Sequence, residues 1–121
     1  MFFFGINYEN EFDIIIDDGN HEADHQILSF ETLFLFLKPG GYYCIEDNLC
    51  SFDERWNKNG NIYDRIRDMV GEVAMNGKMS RDFLCSDKYK QVSKINLLSY
   101  FERHIEWIFH TPGLVIIKKM K

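Results

Sequence analysis

The run Phe12-Asp13-Ile14-Ile15-Ile16-Asp17-Asp18-Gly19-Asn20-His21 constrains this chain more than any other stretch. Three consecutive β-branched residues run into two carboxylates, a glycine and a histidine. β-Branched side chains suit strands. A continuous apolar run is what a strand covered on both faces of a parallel sheet shows. Phe12 to Ile16 is therefore predicted as a buried strand that stops abruptly in a polar loop. In open α/β sheets the chemistry gathers outside the carboxyl ends of the strands. Asp17, Asp18 and His21 would stand at such an end.

The next segment supports a crossover. Ile27, Phe30, Leu33, Phe34 and Leu37 recur at helical spacing, so a helix is predicted over His21 to Leu37, with Asn20 as its cap. Lys38-Pro39-Gly40-Gly41 should stop it, because proline cannot continue a helix and glycine accepts a left-handed turn. Tyr42 to Ile45 is predicted as a second strand, ending in Glu46-Asp47-Asn48. Strand, helix, turn and strand make a right-handed βαβ unit with parallel strands. Both strands then deliver acidic residues to one edge of the sheet.

Beyond it, residues 49–61 form a loop holding Phe52 and Trp56, placed to cover that edge. A second helix is predicted over Ile62 to Asn76, with Ile62, Ile66, Met69, Val70 and Val73 on its apolar side and Gly77 as a stop. Residues 78–94 carry no clear pattern. Ile105 to Phe109 and Leu114 to Ile117, joined by Thr111-Pro112-Gly113, are predicted as an antiparallel hairpin. Phe2 to Phe4 are too apolar for a free tail.

With 121 residues and 45% hydrophobic content, the chain suffices for one α/β domain. Its formal net charge of −5 argues against nucleic acid, and Lys118, Lys119 and Lys121 make only a short basic tail. Cys44, Cys50 and Cys85 follow no disulfide or zinc spacing, so reduced thiols and a cytoplasmic setting are expected. No run approaches the length of a membrane span. His104 and His110, flanking the hairpin, are expected at the surface, and Cys44 in the core.

The polar strand ends suggest a site. Carboxylates and an amide suit a hard divalent cation such as magnesium. A histidine three residues after Asp18 suits a general base near neutral pH. A plainer reading stays open: acidic residues at strand ends cap helices, and a histidine opening a helix faces solvent. His21-Glu22-Ala23-Asp24-His25 also matches H-E-x-x-H literally. It falls at a helix start and lacks a third ligand, which disfavours a zinc protease.

Taken together, the run at 12–21, Ser29-Phe30, Leu33-Phe34, Leu37-Lys38-Pro39-Gly40-Gly41-Tyr42, Ile45-Glu46-Asp47 and the closing hairpin resemble class I S-adenosylmethionine-dependent methyltransferases. Within that class they resemble the metal-dependent macrolide sugar O-methyltransferases of the mycinamicin type. The resemblance implies magnesium ligands at Asp18, Glu46 and Asp47 and a general base at His21. Asn48 stands where a related branch has a metal-ligand asparagine. It implies transfer of a methyl group from S-adenosylmethionine to a hydroxyl of a sugar or another small molecule.

The resemblance also implies a partial Rossmann-like sheet, with strands equivalent to the fourth, fifth, seventh and sixth in that spatial order and the last antiparallel. Only about ten residues precede Phe12, and no G-x-G-x-x-G follows a strand. The chain, a single domain over 1–121, is therefore expected to match the carboxyl-terminal half of the fold, and no residue is assigned to the cofactor. Its first strand, interior in the family, would be an apolar edge. Self-association through that edge, or cover from Met1 to Phe4, is expected. A non-catalytic half-domain serving binding or assembly is the competing reading.

Overall fold

The computed structural model describes residues 11–58, 60–79 and 100–121. Strand β1 (Phe12–Asp17) leads to helix α1 (Ala23–Leu33), a 3₁₀ turn (Phe34–Phe36) and β2 (Leu37–Glu46). A second 3₁₀ turn (Asn48–Phe52) precedes α2 (Ile62–Met79). Helix α3 (Tyr100–His104), β3 (Ile105–Thr111) and β4 (Leu114–Lys119) complete the described chain. Met1 to Phe4, Cys85 and most of 78–94 lie outside the described residues.

The four strands form one sheet in the order β1-β2-β4-β3. β1 and β2 are parallel, and β4 is antiparallel to both β2 and β3. This is the expected mixed α/β arrangement. Asp17 lies level with Ile45, so the chain leaves β1 and β2 at the same edge of the sheet.

Local details differ from the sequence reading. The helix is shorter at both ends than His21 to Leu37, and Lys38 to Gly41 does not stop it. Those residues belong to β2, where the β1 register jumps from Phe12↔Leu37 to Ile14↔Tyr42. The surplus residues of β2 bulge, and a bulge accommodates Pro39 in a sheet. Gly41 makes the close approach possible, since a Cβ there would lie 2.8 Å from the Asp13 carbonyl and 2.9 Å from that of Lys38. Helix α2 continues past Gly77 to Met79.

The core lies between one sheet face and the helices. Phe30, Phe34, Leu37, Tyr43, Ile45, Ile62, Ile66, Met69, Val115 and Ile117 are buried. Phe30 anchors it, with ring centroids 5.1 Å from Phe34, 5.3 Å from Tyr43 and 5.2 Å from Phe101. Val70, expected inside, is 52% exposed. Lys119, expected in a basic tail, is only 4% exposed. His104, expected at the surface, is half-buried; it stacks on Tyr100 and its Nδ1 donates to the Tyr100 carbonyl at 2.7 Å.

On the other sheet face the described side chains are more exposed. β1 was expected to be covered on both sides, yet Phe12, Ile14 and Ile16 are 46%, 57% and 60% exposed, and only Ile15 packs on the core. The register continues this face through Tyr42 and Cys44 of β2, Lys118 and Ile116 of β4, and Trp107 and Phe109 of β3. No helix among the described residues is long and apolar enough to cross a membrane.

Candidate metal and proton-transfer site

The loop after β1 is held by its first carboxylate. Asp17 Oδ1 accepts the Gly19 N–H at 3.2 Å, while the buried Tyr43 hydroxyl donates to Asp17 Oδ2 at 3.5 Å. Burial, then the Asp17 charge and this hydrogen bond, push the Tyr43 phenol far above its ordinary pKa. Asp17 therefore braces the turn, and Asp18 projects into solvent.

Two residues at this edge take left-handed backbone without being glycine: His21 at φ 62° and Asp47 at φ 51°. L-residues avoid this region, and strain of this kind gathers at functional sites. The two kinks bring the loops together. Asp18, His21 and Asp47 each offer a ligand atom within 4.8 Å of the others. His21 Nε2 lies 3.7 Å from Asp47 Oδ2. His21 Nδ1 is buried with no hydrogen-bond partner in the structure.

Glu46 stands outside this group. Strand alternation puts it on the sheet face of Cys44, where burial and then the Glu46 charge raise the thiol pKa. The Glu46 carbonyl accepts from Gln26 Nε2 at 2.9 Å. That bond ties buried Gln26 of α1 to the β2 end. Asn48 is fully buried and its Oδ1 accepts the Tyr63 hydroxyl at 3.2 Å. Burial raises the Tyr63 phenol.

Asn20 does not cap α1 directly. Its Oδ1 accepts the Glu22 N–H at 3.2 Å, closing a short turn before the helix, and its Nδ2 donates to His25 Nδ1 at 2.6 Å. Because His21 precedes the helix, His21 and His25 share no helical face, and the H-E-x-x-H geometry does not form. His25 belongs to a second surface group with Glu22 and Asp24. In the covering segment, Phe52 is 70% exposed and stacks on Tyr63 at 4.8 Å. Trp56 is half-buried, and its carbonyl accepts the Ala23 N–H at 3.4 Å.

Sequence reasoning missed Gln26, the Tyr43–Asp17 brace and the start of α2. There Ser51 Oγ accepts the Ile62 N–H at 3.3 Å and Asn61 Oδ1 accepts the Tyr63 N–H at 2.8 Å. Asparagine directly before an apolar-periodic run was the available signal for the last.

No protein-family model matches the chain. A rhamnosyl-tetracenomycin C 3'-O-methyltransferase of Streptomyces olivaceus is 58% identical over 36 residues, which is 30% of this chain and 9% of that protein. The mycinamicin VI 2''-O-methyltransferase of Micromonospora griseorubida is 56% identical over 36 residues, again 30% and 9%. L-olivosyl-oleandolide 3-O-methyltransferase of Streptomyces antibioticus is 49% identical over 41 residues, 34% and 11%. The matches thus span about a tenth of the curated relatives' length. Among solved structures, MycE methyltransferase of the mycinamycin biosynthetic pathway, in complex with Mg and SAH, superposes with a TM-score of 0.71 at 24% identity. That superposition covers 91% of this chain and 27% of MycE.

The fold is thus a partial Rossmann-like fold of the class I methyltransferase kind. Within that class the chain resembles the macrolide and related sugar O-methyltransferases.

Proposed function

We propose that this chain carries the metal-holding and proton-accepting part of an S-adenosylmethionine- and magnesium-dependent O-methyltransferase acting on a hydroxyl of a sugar or similar small molecule. One observation carries the reading: Asp18, His21 and Asp47 converge at the carboxyl ends of adjacent parallel strands, two of them on strained backbone. The names of the relatives, all sugar or macrolide O-methyltransferases, support it, as does the Mg in the solved MycE complexes.

The donor set fits a hard cation. Exposed carboxylates at Asp18 and Asp47 supply oxygen ligands. Glu46, the further carboxylate that the family resemblance implies, stands one residue before Asp47 at the same strand end and outside the trio of Asp18, His21 and Asp47. A divalent cation held by Asp18 and Asp47 would lower the pKa of an acceptor hydroxyl and orient it. His21 is the base. It would take the hydroxyl proton at Nε2, and the Asp47 carboxylate 3.7 Å away faces the ring as it acquires charge. The stacked Phe52 and Tyr63 rings, with Tyr63 joined to Asn48, offer an aromatic wall for the acceptor. The sequence holds no G-x-G-x-x-G run, and no residue is assigned to the cofactor.

The competing reading, a binding or assembly half-domain, is favoured by the exposed apolar β1. Self-association through β1 is compatible with either, as are reduced cysteines and a cytoplasmic setting. Titration of the full chain with Mn²⁺, followed by electron paramagnetic resonance, separates the two. A site weakened about tenfold or more by Asp18→Asn and by Asp47→Asn is expected, each change removing a charged ligand. Binding unaltered in both variants, or absent from the unsubstituted chain, would leave the assembly reading standing.

A further inference from the structure

Helix α1 buries Ala23, Gln26 and Phe30. Their spacing of three and four residues makes one inward stripe. An apolar side chain would fill its middle with no polar group to satisfy, yet the position holds a glutamine that is 2% exposed. A buried amide is costly unless it is hydrogen-bonded. Gln26 Nε2 donates to the Glu46 carbonyl at 2.9 Å, while its Oε1 has no partner among the described residues. The fold thus keeps a half-satisfied amide, and the bond this amide makes lies at the strand end that carries Asp47.

That bond acts on Asp47. A peptide unit is planar, so holding the Glu46 oxygen also holds the N and Cα of Asp47. On the other side, the Asp47 carbonyl accepts the Cys50 N–H at 3.1 Å. Both peptide planes flanking Asp47 are therefore held, and they meet at its left-handed φ of 51° and ψ of 29°. A residue other than glycine persists in that region only where its surroundings impose it. The Cys50 bond is backbone to backbone, whereas the Gln26 bond is made by a side chain and can be removed alone. Gln26 also stands at the start of the helix that follows Asp18 and His21, its N–H donating to the Glu22 carbonyl at 2.9 Å. It therefore connects the loop of His21 to that of Asp47, whose side chains stand 3.7 Å apart.

We propose that Gln26 is a positioning residue for the metal-and-proton site. Through the Glu46 carbonyl it holds Asp47 in the kinked backbone that brings its carboxylate to Asp18 and His21. The proposal rests on reading those three residues as one site. Gln26 acts through Asp47, not on a metal or a substrate.

The test compares Gln26→Met, which keeps a long unbranched side chain but removes the amide, with Phe30→Leu, a core change on the same stripe. In the ¹⁵N-labelled full chain without metal, the three-bond HN–Hα coupling of Asp47 reports its φ. Gln26→Met should move this coupling away from the unsubstituted value, and Phe30→Leu should not. In Mn²⁺ titration followed by electron paramagnetic resonance, Gln26→Met should bind about tenfold more weakly, the loss that follows removal of a partner behind a ligand. Its urea midpoint should equal or exceed that of the unsubstituted chain, because a half-satisfied buried amide has gone. Phe30→Leu should do the reverse, lowering the midpoint and leaving the affinity unaltered. An Asp47 coupling unmoved in Gln26→Met, or a Mn²⁺ affinity that this variant leaves unaltered, would overturn the proposal. Were the unsubstituted chain to bind no Mn²⁺, the metal reading would fall, while a moved coupling would still uphold the action of Gln26 on Asp47.

Discussion

His21 and Asp47 spend stability to stand where they do. Asp47 is exposed and its left-handed φ is one that glycine adopts freely. Asp47→Gly should therefore leave the fold as stable, or more stable by up to about 1 kcal/mol, in urea unfolding. The same variant should bind divalent cations more weakly. A stability loss above about 1 kcal/mol would mean that the side chain holds the fold rather than the site.

Asp53 offers a pH test at the same scale. Hydrogen bonds from the Arg55 guanidinium and backbone hold its carboxyl down at about 2. Because the folded pKa lies below the unfolded one, the stabilisation is present above about pH 4 and is lost as pH falls toward 2. A carboxyl titration by NMR should place the Asp53 midpoint near 2, and Arg55→Ala should return it to the ordinary aspartate range. A midpoint unmoved by Arg55→Ala would contradict the pairing.

At this scale much of the site was legible. Asp18, His21 and Asp47 were readable because a strand that ends in polar residues announces an edge. The bracing role of Asp17 was not, because it depends on Tyr43 from the neighbouring strand. Nor was the separation of Glu46 from the group. That follows from strand alternation continued to its last residue and from the kink at Asp47, which no local pattern signals.

Among the elements, the hairpin was the most readable. Pro112 and Gly113 suit a two-residue connection, and Gly113 takes φ 86° as only glycine does without strain. The Lys38 to Gly41 segment misled, because the same residues serve as a helix stop or as a bulge within a strand. Which of these occurs is decided by pairing with β1, far away in sequence. Gly41 is the point of closest approach between these strands. Gly41→Ala should destabilise the chain by about 2–4 kcal/mol, since backbone carbonyls block the new methyl. A near-neutral change in thermal unfolding would show that the strands can move apart there. Phe30→Ala, deep between α1, β2 and α3, should cost about 3–5 kcal/mol through the cavity it leaves.

For the whole molecule, sheet order and strand directions agree with the expectation drawn from the family resemblance, while burial does not. A run of three isoleucines implied cover on both sides, yet the described residues cover one face only. Period-2 geometry then exposes Ile14 and Ile16 whatever their hydrophobicity. An apolar edge strand of this kind favours pairing with another chain. Sedimentation should show concentration-dependent association, abolished in the Ile14→Lys, Ile16→Lys double variant. An unsubstituted chain that stays monomeric at every concentration would sink that expectation.

The central claim, that the first two strands build one metal-and-proton site, has a direct test. Substoichiometric Mn²⁺ added to the ¹⁵N-labelled chain broadens the signals nearest the bound ion. The structure predicts that those of Asp18, His21 and Asp47 fade first, while those of Arg103 to Lys121 persist. Broadening centred instead on Glu22, Asp24 and His25, or spread evenly over the acidic surface, would contradict it.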